Sequence, residues 1–135
     1  MRKIALIGTP CSASRADRDF TEDDLDVCHR RRGFNGVGYH FYIRRDGSVT
    51  QHRKLLEVGA HCRPWNRCSI GICYEGGLDA DGRPTDTRTP EQTEQFILLL
   101  MRMVKIFPGV RIRGHRDMPG SIPKACPCFD AEREY

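Results

Sequence analysis

A chain of 135 residues is sized for one domain around one core, and charged and hydrophobic shares of 30% and 39% exclude intrinsic disorder. No apolar run reaches the roughly 18 residues of a membrane span, so no stable membrane insertion is expected. The formal net charge of +4 admits an anionic partner without choosing among nucleic acid, membrane surface and cell-wall polymer.

Residues 1–3 are a short basic start, and residues 4–7 form an apolar run bounded by Gly8-Thr9-Pro10, consistent with a buried strand. No small-residue cleavage site follows, so the expectation is synthesis in the cytoplasm without a signal peptide. Action elsewhere would then follow release or export. Thr21-Glu22-Asp23-Asp24 offers an N-cap with acids in the first turn. The helix it opens runs through Leu25, Val27 and Cys28 into His29-Arg30-Arg31-Arg32, read as a solvated basic end, and stops at Gly33. Residues 39–45 read as a strand rich in aromatics. Asp46-Gly47 signals a two-residue hairpin, and residues 48–52 are the return strand.

Residues 69–74 read as another strand, and residues 78–87 as a polar loop. Thr89-Pro90-Glu91-Gln92 is a capping box with proline at the first helical position. The helix that follows is expected to pack through a face holding Thr93, Phe96, Ile97, Leu100, Met101 and Val104. Residues 110–113 read as a short strand leading into Gly114-His115-Arg116-Asp117. With no linker or repeat, strands mixed with two substantial helices predict an α/β fold: a single domain, residues 1–135, with a mixed central β-sheet flanked by helices. The seven cysteines are an odd number in a chain with no export signal, so reduced thiols are expected rather than a disulfide framework.

The residues with most chemistry lie near the end. His115 follows a predicted strand, and loops at strand ends commonly display catalytic side chains. Cys126 lies in Lys124-Ala125-Cys126-Pro127, where prolines stiffen the loop. A histidine and a thiolate suit Zn2+, although spacing alone does not join them.

Four blocks in order resemble the type-2 N-acetylmuramoyl-L-alanine amidase family, which includes short phage lysozymes and the peptidoglycan recognition proteins. They are Gly36-Val37-Gly38-Tyr39-His40-Phe41 with Arg44-Arg45-Asp46-Gly47; Gly59-Ala60-His61 with Asn66 and Ser69-Ile70-Gly71-Ile72; Gly114-His115-Arg116-Asp117; and Lys124-Ala125-Cys126-Pro127 with Phe129-Asp130. The resemblance implies hydrolysis of the amide joining N-acetylmuramic acid to the L-alanine of the stem peptide. It implies His115 and Cys126 as zinc ligands and Tyr39 and Lys124 as the catalytic pair. His61, Arg63, Trp65 and Asn66 would border the substrate groove, while His40 would face away from the metal. The implied partner is the muramyl peptide of peptidoglycan, bound by a monomer.

One position departs from the pattern. The family's first zinc ligand is a histidine at the end of the first strand, in a motif resembling Ile-His-Cys-Ser-Ala-Thr. Here Cys11-Ser12-Ala13 keeps the register and Pro10 stands in the histidine's place. Proline has no donor atom, whereas a catalytic zinc site takes three protein ligands and a water. Cys11 is adjacent and a good soft ligand, but strand alternation turns it to the opposite face unless the backbone re-registers at Pro10. The sequence therefore leaves two readings: a zinc amidase with an impaired site, or a peptidoglycan-binding module that has lost catalysis. A third class, a nucleic-acid-binding domain using residues 30–32, has no helix-turn-helix, zinc-finger or single-strand-binding signature behind it, so no nucleic acid partner is expected.

Overall fold

The computed structural model describes residues 3–61 and 65–114. Five strands form the main sheet: β1 (Leu6–Thr9), β3 (Phe41–Ile43), β4 (Val49–Gln51), β5 (Ser69–Tyr74) and β7 (Arg111–Gly114), in the order β4-β3-β5-β1-β7. β1 runs parallel to both β5 and β7, β3 parallel to β5, and β4 antiparallel to β3, so the sheet is mixed as predicted. β1 begins two residues later than expected because its register is set by two neighbours at once: Leu6 lies beside Ser69 and Arg111. A small second sheet, which the sequence did not announce, pairs β2 (Ser14–Arg15) with β6 (Gly77–Leu78).

The hairpin between β3 and β4 is one residue longer than Asp46-Gly47 alone signals. Arg44 N–H donates to the Ser48 carbonyl and Gly47 N–H to the Arg44 carbonyl, which leaves a three-residue connection. Gly47 takes φ +88°, the left-handed conformation that closes such a loop.

Helix α1 (Glu22–Arg31) starts at Thr21, whose hydroxyl caps Asp24 N–H while the Asp24 carboxylate returns to Thr21 N–H. Only Leu25 and His29, four residues apart on one face, are buried; Val27 and Cys28 are exposed. Helix α2 (Pro90–Ile106) carries the predicted capping box between Thr89 and Gln92. Its buried face differs from the expected one: Gln92, Phe96, Leu99, Leu100 and Met103 are inside, whereas Ile97, Met101 and Val104 are exposed. The stripe is rotated because polar Gln92 faces inward, where its amide donates to the carbonyls of Ile43 and Glu75. Thr89 fixes the same end by donating to the Arg45 carbonyl.

The sheet's two faces have different coverings. Ile7, Ile43, Ile70, Ile72 and Tyr74 pack under α2 with Phe96 and Leu100. On the other face α1 covers Tyr42 and Cys73 through Leu25, with Val37, Phe20 and Tyr39 around them. Farther across that face, the half-buried Trp65 packs on Leu6 of β1. Buried Glu75 ties the loops together, accepting from Phe20 N–H, Arg44 and Arg45 N–H.

Candidate functional site

The partly covered face is where the site is assembled. Alternation along β1 sends Leu6, Gly8 and Pro10 to it and sends Ile7 and Cys11 to the α2 core. On β5 the same face receives Ser69, Gly71 and Cys73, and in-register pairing sets Gly8 beside Gly71 and Arg113. Gly8 and Gly71 bring no side chain of their own to this face. Over Gly71 lies the His61 ring, so close that a Cβ there would meet it at 2.9 Å. His61 is buried, its Nε2 3.1 Å from the Ser69 hydroxyl. That hydroxyl donates to the Trp65 carbonyl, so it accepts from His61.

The Tyr39 ring stands between two histidines, 6.5 Å from the His61 ring and 5.0 Å from His29. It precedes β3 instead of lying within it. Its hydroxyl is bonded to the buried Cys73 thiol, whose pKa is pushed well up by burial, then by nearby Cys11, with Tyr39 opposing both. Cys73 lies two residues beyond Gly71, level with the end of β1, where Tyr74 N–H donates to the Pro10 carbonyl. Tyr39 therefore lies beside the end of β5, and β1, which pairs with β5, carries Pro10 at its end and pairs Thr9 with Gly114 of β7.

His29 lies outside the solvated basic cluster that the sequence implied. It is buried; its Nδ1 accepts from Gly38 N–H at 2.8 Å, and its ring meets Phe34 and Tyr39 edge-on. Burial, with Arg32 and Arg53 adding to it, lowers its pKa to about 4, so it is neutral at neutral pH. The rest of that cluster is tied as well: Arg30 pairs with Asp26, and Arg32 lies over the Phe34 ring. His40 is buried, its ring 6.2 Å from that of His61, with Nδ1 accepting from Gly71 N–H and Nε2 donating to the Glu57 carbonyl. Asn66 accepts from His61 N–H and so holds the loop that presents Trp65.

Pro10 is buried at the end of β1. Cys11 is buried in the α2 core, packed so tightly on Gly77 that a Cβ there would come within 2.5 Å of its sulfur. Among the described residues no group of three or more His, Cys, Asp or Glu is arranged to hold a metal ion. His115, Lys124, Cys126 and Arg63 lie outside the described residues.

One feature of this face was missed in the sequence. Arg111 and Arg113, two apart on β7, line with Lys3, Leu6 and Trp65 a groove of about 450 Å³. The Arg-Ile-Arg alternation was its only signal.

The chain matches the family profile described as N-acetylmuramoyl-L-alanine amidase over residues 3–129. It is 39% identical over 132 residues to the endolysin of Klebsiella phage KP32, covering 98% of this chain and 85% of that protein. It is 36% identical to the endolysin of Escherichia phage T7, covering 91% and 80%. Among solved structures, the N-acetylmuramoyl-L-alanine amidase LysC from Clostridium intestinale superposes with a TM-score of 0.81 at 26% identity, covering 98% of this chain and 82% of that one. The Drosophila protein PGRP-LB shares the fold, with a TM-score of 0.77 at 22% identity, covering 99% and 80%.

Proposed function

The chain belongs to the N-acetylmuramoyl-L-alanine amidase family, and from that premise we propose that it hydrolyses the amide between N-acetylmuramic acid and L-alanine in peptidoglycan. The observation that carries this reading is the His61 ring lying over Gly71 with the Tyr39 ring 6.5 Å from it, on the sheet face whose strand β7 leads into the His115 motif. Tyr39 brings a hydroxyl that can orient a water or the amide carbonyl. Lys124, carried over from the resemblance, is the proposed cation for the developing oxyanion.

His115 and Cys126 are the proposed zinc ligands, and a bound Zn2+ supplies hydroxide near neutral pH and polarises the carbonyl. Among the described residues no third donor joins them: Pro10 offers no atom and Cys11 is committed to the core. The reading is thus of an enzyme limited by metal retention. A second reading, a binding module without catalysis, is favoured by that same gap.

Elemental analysis for zinc, paired with stem-peptide release from purified peptidoglycan, separates the two for the natural chain, Pro10→His and Cys11→Ser. Pro10→His is expected to raise both zinc content and release; Cys11→Ser is expected to leave zinc content unchanged. Stoichiometric zinc in the natural chain, with no gain from Pro10→His, overturns this account. Firm binding to peptidoglycan with no release by either the natural chain or Pro10→His selects the binding module.

A further inference from the structure

The geometry points to an anion subsite on the open half of this face, where Lys3, Arg111 and Trp65 receive the carboxylate-bearing part of a peptidoglycan stem peptide. The inference rests on the peptidoglycan reading above and names which part of that substrate the groove takes.

The groove, about 450 Å³, is lined by Lys3, Leu6, Trp65, Pro108, Arg111 and Arg113 among others, with no Asp or Glu among the described residues that line it. That volume is within the roughly 300–1,000 Å³ of ligand sites. Five arginines elsewhere are matched to acids: Arg15 to Asp17, Arg30 to Asp26, Arg44 to Glu22 and Glu75, Arg45 to Asp19, Arg88 to Asp86. Lys3 and Arg111 are exposed, and neither enters a salt bridge among the described residues. Positive charge lining a concavity without a compensating acid concentrates the field and draws anions. The floor is apolar: Leu6 with the Trp65 side chain packed on it. A guanidinium and an ammonium over such a floor suit a ligand that alternates carboxylates with aliphatic segments.

Position selects the ligand. Leu6 and Pro10 lie on the same face of β1, four residues apart, which is about 13 Å at the usual strand rise. An extended peptide whose amide is attacked at the Pro10 end would reach Arg111, which pairs with Leu6, after about four residues. The free carboxylates of a stem peptide lie within that reach.

The test uses the whole chain and sedimentation with purified peptidoglycan, native or with its carboxylates amidated, over a range of salt. Stem-peptide release is measured in parallel. The natural chain is expected to bind native wall about tenfold more tightly than amidated wall, the scale of losing one or two charge-assisted contacts. Lys3→Gln combined with Arg111→Gln should lose that preference and much of the salt dependence, and Lys3→Arg with Arg111→Lys should restore them. Equal binding of native and amidated wall by the natural chain overturns the subsite, as does an unchanged preference in the double glutamine variant. Preference for a poly(glycerol phosphate) polymer or for nucleic acid over native wall overturns it too. Release without any carboxylate preference removes the subsite and leaves the amidase reading intact. Absence of both release and wall binding removes both.

Discussion

At the scale of single residues, burial decides what an ionisable side chain does. His29 opens a run of basic residues, yet it is inside, accepting from Gly38 N–H with Tyr39 against its ring. Its folded pKa of about 4 lies below the ordinary 6.5, so the folded state resists the proton that the unfolded chain takes up. The unfolded state then binds more protons between those two values, and stability rises with pH across that window. His29 therefore contributes its full stability above about pH 6.5 and loses it as pH falls toward about 4. Burial lowers His52 in the same direction. In His29→Asn the Asn oxygen can replace Nδ1 as acceptor while removing the titration. Urea midpoints measured from pH 7 to pH 4 should fall less steeply in the variant. An identical slope in both proteins would show that His29 does not carry the effect.

At the scale of elements, the caps were legible and the buried faces less so. Thr21 and Thr89 announce their helices through local hydrogen bonds that need no tertiary partner. The inward face of α2 depends on Gln92, a polar residue whose only merit there is to meet the carbonyls of Ile43 and Glu75, far away in sequence. Hydrophobic periodicity misses such a residue, because α2 has apolar side chains on nearly every side. β2 and β6 were missed for a related reason: two-residue strands are held by pairing, with no pattern of their own. Neighbouring residues test the corrected face. Leu100 is 4% exposed and Met101 65%. Leu100→Ala should cost about 2–5 kcal/mol, and Met101→Ala within about 0.5 kcal/mol of nothing, by chemical denaturation. Comparable losses would mean that α2 is packed through the other face.

At the scale of the molecule, one sheet serves two purposes on its two faces. The α2 face is filled by Ile7, Ile70, Ile72, Tyr74 and Phe96 and has nothing to bind with. The opposite face carries Gly8, Gly71, Tyr39, His61, Trp65 and the cationic groove. Much of that second face was readable from the motif blocks, because glycines flanking His61 are there to let its ring lie on the sheet. The groove was not, since Lys3, Trp65 and Arg111 come together only when β7 pairs with β1. If stability and recognition are divided this way, substitutions on the two faces should have separable effects. Phe96→Ala opens a cavity in the core and should cost about 3–5 kcal/mol. At a temperature where the variant remains folded, its affinity for peptidoglycan should be unchanged. Trp65→Ala strips the cover from Leu6 and the apolar wall from the groove, yet Trp65 is only half-buried. It should cost about 1 kcal/mol of stability while weakening peptidoglycan binding about tenfold, since an indole at the centre of a binding surface carries a large share of its affinity. Unfolding curves and sedimentation with peptidoglycan, run on the same preparations, check both. If folded Phe96→Ala lost affinity as Trp65→Ala does, the two faces would be coupled through the sheet, and the division of labour would be wrong.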